Sequence, residues 1–198
     1  MSKIKSALEL ALERTAEVKI DKEAVRKDGF VRKGKSTAGK YLSNPKTISL
    51  KDEIDLLNGD EQMWLRDGIV ETLLANLTLP RYQSDLDRFP PIAEGLKSIE
   101  RDKKSNGKNL EYLMNQYTDL FKQYLDNLAQ LEEQLRTQWE PRLRQKEQQL
   151  KQKTGQAVKL TPEQDPEFVK VLNEELARMD AQYAEVLAQG KAEIRKMV

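Results

Sequence analysis

The chain has 198 residues, enough for one ordinary domain or for a small unit beside an extended helical one, and two full-sized cores do not fit. Charged residues make up 34% and apolar ones 38%, which favours thin helical packing, and 34 cations against 33 anions exclude whole-molecule attraction to polyanions or membranes. The absence of cysteine and histidine removes disulfides, thiolate nucleophiles, imidazole bases and the metal sites that depend on either residue.

In the first 18 residues Ile4, Ala7, Leu8, Ala11, Leu12, Thr15 and Val18 recur at three- and four-residue steps, which predicts an amphipathic helix over 1–18. The pattern then thins. Residues 19–46 hold nine Lys/Arg against three acidic residues, and 19–48 reads as a basic, flexible segment. Within it Gly29-Phe-Val-Arg-Lys-Gly34-Lys35-Ser36 fits the phosphate-loop pattern letter for letter, but a charged stretch precedes it where a buried strand should stand. Arg32, Lys33, Lys35 and Lys40 are the candidate phosphate contacts if the segment binds nucleic acid, with Phe30 and Tyr41 as stacking faces.

Residues 49–102 read as a region of short helices. Ser49 with Asp52 marks one start, and Asn58-Gly59 marks its end. A more apolar helix follows through Met63, Trp64, Ile69, Val70, Leu73, Leu74 and Leu77, and it stops before Pro80. After a loop, Pro90-Pro91 launches a brief helix through Ile92, Leu96 and Ile99.

Residues 109–198 carry the clearest signal. Leu110, Met114, Tyr117, Phe121, Tyr124, Leu128, Leu131 and Leu135 alternate at four and three, the spacing of a coiled-coil seam. The phase then slips to Trp139 and Leu143, and a bend is expected near Pro141. A loop between Gly155 and Pro162 leads to Val169, Leu172, Leu176, Met179, Tyr183, Val186 and Gly190 at three and four. The expected fold is all-α: a long, antiparallel, coiled-coil-like helical hairpin with a smaller N-terminal helical cap.

The opening Ser2-Lys-Ile-Lys-Ser-Ala-Leu-Glu-Leu-Ala-Leu-Glu-Arg-Thr15 and the stretch Gly34-Lys-x-x-x-Gly-Lys-Tyr-Leu42 resemble an uncharacterised family of small bacterial helical proteins, over about the first 45 residues. The resemblance implies a bacterial source and brings no activity, cofactor or catalytic residue.

Adjacent carboxylates such as Glu132/Glu133 and Glu174/Glu175 point about 100° apart on a helix and read as surface charge. No stretch approaches the roughly 20 apolar residues of a membrane span, and a cytoplasmic location is expected. The functional expectation is a non-enzymatic structural or adaptor protein without cofactor or metal. It self-associates, as a homodimer or larger, or binds another helical protein. The contact residues are Leu110, Met114, Tyr117, Phe121, Tyr124, Leu128, Leu131 and Leu135 on one helix, and Leu172, Leu176, Met179 and Tyr183 on the other. The alternative is nucleic-acid binding through residues 19–46.

Overall fold

Helix-forming sequence dominates the residues that the computed structural model describes, 22–101 and 107–198. Six helices result: α1 (Lys22–Ser43), α2 (Leu50–Asp55), α3 (Gly59–Asn76), α4 (Phe89–Ser98), α5 (Gly107–Thr154) and α6 (Pro166–Met197). Two 3-10 turns, Gln83–Arg88 and Pro162–Gln164, join them. Among the described residues there is no strand, so the chain is all-α. The amphipathic helix expected over 1–18 lies outside the described residues. The chain divides into two units, residues 1–72 and 73–198.

In the first unit the basic segment departs from the flexible stretch expected of it, because Lys22–Ser43 is one continuous helix. Its inward face is built from Tyr41 and from Gly34, Thr37 and Ala38, the last three small residues that a search for large apolar side chains passes over. Smallness is what the packing needs here. A Cβ on Gly34 would stand 2.1 Å from the Leu65 carbonyl oxygen, and one on Gly68 would stand 2.1 Å from that of Val31. α1 and α3 therefore cross backbone against backbone, and Phe30 meets Trp64 beside the crossing at 6.4 Å between ring centroids. α2 starts as the sequence indicates, with the Asp52 amide donating to the Ser49 hydroxyl at 3.2 Å. Gly59 takes a φ of 60° at the junction with α3, a conformation open to glycine without strain.

In the second unit α5 and α6 run antiparallel. The Tyr117 hydroxyl donates to the Leu187 carbonyl at 3.0 Å, the Tyr124 hydroxyl to Asp180 at 2.5 Å, and the Trp139 indole to Asp165 at 3.0 Å. α5 continues through Pro141 as one helix. Thr137 and Pro141 are both exposed, so water can take up the Thr137 carbonyl that the missing proline amide leaves unbonded. α4 lays Ile92 and Leu96 inward and stacks Phe89 on Phe121 at 4.1 Å.

The register of α6 differs from the heptad expected of it. Val169 and Val186 are 38% and 51% exposed, whereas Phe168 and Leu187 are 1% and 5% exposed. Inward positions repeat every eleven residues instead: Phe168, Met179 and Gly190; Leu172, Tyr183 and Ile194; Leu176, Leu187 and Val198. Eleven residues make three turns at about 3.67 residues each, close to an undistorted helix, so an almost straight helix keeps this stripe inward.

Candidate functional site

The four cations proposed to contact phosphate all lie on the exposed surface of α1. They are not equivalent. Arg32 pairs with Asp28 at 2.6 Å one turn away, and Lys35 reaches Glu71 of α3 at 2.9 Å. Arg26 likewise pairs with Glu61. Lys33 and Lys40 are exposed and, among the described residues, have no carboxylate partner. Part of the basic charge on α1 is thus taken up by acidic residues of the same unit, at partly exposed pairs worth at most about 1 kcal/mol each. The Gly29-to-Ser36 phosphate-loop match falls inside α1. A phosphate cradle needs several backbone amides turned outward, and a helix interior commits them to its own carbonyls.

The seam residues are largely spent inside the chain. Leu110, Met114, Tyr117, Phe121, Tyr124 and Leu135 are buried, and Leu128, Leu131, Leu172, Leu176, Met179 and Tyr183 are half-buried. Two polar clusters fix the pairing of α5 with α6, and neither was visible as a spacing pattern. In the first, Arg81 grips Asp180 through two nitrogens at 3.2 and 2.5 Å and donates to the Tyr124 hydroxyl at 2.8 Å. The Asp180 carboxyl is pushed up by burial, but hydrogen bonds from Arg81 and Tyr124 outweigh this and hold it below its usual value. Burial drives the Tyr124 phenol up to about 12, so it stays a donor.

The second cluster sits where α6 begins. Asp165 caps that helix by accepting the Glu167 amide at 3.1 Å, and its other oxygen accepts from Lys146 at 2.7 Å and Trp139 at 3.0 Å. Led by the Lys146 bond, these hold its carboxyl at about 2. Phe168 meets the Trp139 ring edge-on at 5.6 Å, and the Arg142 guanidinium lies 4.5 Å from the centre of that ring. The sequence did carry a signal for this cap, an aspartate directly before a proline at a helix start.

Open depressions also mark the surface of this unit among the described residues. One, of about 500 Å³, lies beside Arg136, Glu147 and Leu160, where Arg136 already pairs with Glu163 at 3.1 Å and Glu147 accepts the Leu160 amide at 2.7 Å. Another is an apolar groove of about 640 Å³ between α5 and α6, with Tyr112, Leu113 and Leu120 on one wall and Val186 on the other. Tyr112 is 62% exposed there. Among the described residues no group of acidic side chains is placed to hold a metal ion.

A protein-family profile for a family of unknown function, DUF6657, matches residues 51–196. The chain belongs to this family. Membership is carried by the helices from α2 to α6, and the opening stretch that bears the sequence resemblance lies outside the match. Both polar clusters and the apolar groove fall within the family's span, whereas α1 precedes it. No curated protein and no solved structure matches the chain. Among the described residues no helix is long and apolar enough to cross a membrane.

Proposed function

We propose that this member of the family is a non-enzymatic scaffold of the cytoplasm that self-associates or holds another helical protein along the flanks of its hairpin. One observation carries the reading. With the seam buried between α5 and α6, large apolar side chains still stand exposed on the hairpin's sides, Tyr112 at 62%, Val186 at 51% and Val169 at 38%. Apolar surface of this kind, set beside an open groove, is what a partner would cover. The two tyrosine and tryptophan clusters support the role by fixing the register of the helices that present it.

Light scattering on the full chain tests the self-associating form, and a dimer or larger is the expected result. A monomer that also cross-links to no helical protein in its native extract would remove the proposal.

A second reading, nucleic-acid binding through α1, is favoured by the exposed Lys33 and Lys40, which have no carboxylate partner among the described residues and stand two turns apart on one edge of the helix. Gel shifts at rising salt decide it, because phosphate neutralisation predicts a steep loss of binding. No shift at low salt ends this reading.

A further inference from the structure

We infer that the groove between α5 and α6 is a docking site for an amphipathic helix of another protein, flanked by lysine or arginine. The inference rests on the scaffold reading above and narrows it to one site and one kind of partner.

The groove is a lengthwise valley between two antiparallel helices, and a third helix fills such a valley by laying its ridge of side chains into it. α4 packs on another side of α5, through Phe89 and Phe121, and leaves this side open. From Tyr112 to Leu120 the wall rises eight residues, or about 12 Å, which accommodates two turns of a partner. Such a partner offers apolar side chains at positions i, i+3 or i+4, and i+7. Gln116 and Gln189 line the valley with carboxamides able to meet polar groups beside that stripe.

Charge selects the flanks. Asp119 lies seven residues after Tyr112 on the same ridge of α5, and Glu185 lies four before Gln189 and seven before Ala192 on the same ridge of α6. Both are exposed, and among the described residues neither has a cationic partner. Glu193 also lines the groove but is paired with Lys196 at 2.6 Å, so Asp119 and Glu185 are the carboxylates that stand without a cation, and among the described residues no lysine or arginine lines the groove. Each rim therefore presents a solvated carboxylate that a basic flank would meet and an acidic one would not. The same charges argue against a second copy of this groove as the occupant. A symmetric contact of groove on groove would set the carboxylate rims of one copy, Asp119 and Glu185, against those of the other.

Two synthetic peptides of about 18 residues, sharing one leucine stripe and differing only in lysine or glutamate flanks, test the site by fluorescence anisotropy with the full-length protein. The lysine-flanked peptide should bind at least about tenfold more tightly, and the difference should shrink severalfold in Asp119→Asn/Glu185→Gln. Val186→Glu, at a half-exposed position, should weaken binding about tenfold with helix content unchanged. Equal binding of the two peptides, or wild-type affinity in Val186→Glu, overturns the assignment. If neither peptide binds while the protein is oligomeric by light scattering, the groove assignment falls and the scaffold reading stands. If neither binds and the protein is a monomer without partners, both fall.

Discussion

Gly34 and Gly68 meet across the α1–α3 crossing, with the position of a Gly34 Cβ only 3.1 Å from the Gly68 Cα and 2.1 Å from the Leu65 carbonyl oxygen. Backbone cannot swing aside as a side chain can, so Gly34→Ala and Gly68→Ala should each cost about 1–3 kcal/mol. Gly29 and Gly39 lie on the same α1, with nothing within 4 Å of an added Cβ. Alanine there should stabilise by about 0.5–1 kcal/mol, because it relieves the entropic cost of helical glycine. Denaturant midpoints of the four variants check the sign of each change.

Gly190 and Tyr117 form a comparable pair in the second unit. A Cβ at position 190 would stand 2.0 Å from the Tyr117 hydroxyl, the group that donates to the Leu187 carbonyl at 3.0 Å. Gly190→Ala should cost about 1–3 kcal/mol, and Tyr117→Phe about 1 kcal/mol for the lost bond. Because the hydroxyl is the atom in the way, the double variant should lose less than the two single losses added together, which a thermal-unfolding cycle measures.

Asp165 ties stability to acid. Its carboxyl titrates at about 2 in the folded chain against an ordinary 3.8, so its stabilisation is full above the ordinary value and is lost as pH falls through about 2. The difference corresponds to about 2 kcal/mol. Asp165→Asn should be destabilised by about that much near neutrality, and its unfolding midpoint should converge on that of the wild type as pH approaches 2. Parallel curves across that range would disprove the linkage.

The Arg81, Tyr124 and Asp180 cluster predicts an order of effects. Tyr124 is fully buried, and its hydroxyl gives its proton to Asp180. Asp180→Ala strands that donor and should cost about 1–3 kcal/mol, whereas Arg81→Ala, at a half-exposed arginine, should cost about 1 kcal/mol or less. Tyr124→Phe should reduce the penalty of Asp180→Ala, and a cycle of urea unfolding curves reads this directly.

The parts of this fold that were legible in the sequence are those built from local signals. Ser49 with Asp52, and Pro90-Pro91, each marked a helix start that the structure contains. The four-three stripe from Leu110 to Leu135 likewise marked one face of α5, because large apolar residues line it. α1 was hidden because its packing face is, apart from Tyr41, glycine, threonine and alanine, residues that give no large apolar stripe until a partner backbone comes close. On α6 valine stands beside phenylalanine at 168–169 and beside leucine at 186–187, and periodicity alone does not say which of two apolar neighbours turns inward. The candidate site was the least legible part. Arg81 and Asp180 are 99 positions apart, and the groove exists only where α5 and α6 lie side by side.

The chain contains two tryptophans, and they fall one in each unit, Trp64 within residues 1–72 and Trp139 within 73–198. Each is nearly sealed from water, at 7% and 6% exposure, so each emission spectrum shifts red when its surroundings melt. Replacing either indole with phenylalanine leaves a single tryptophan, whose emission can be excited apart from the tyrosines. The two halves of the molecule can then be watched unfolding separately, without an attached dye.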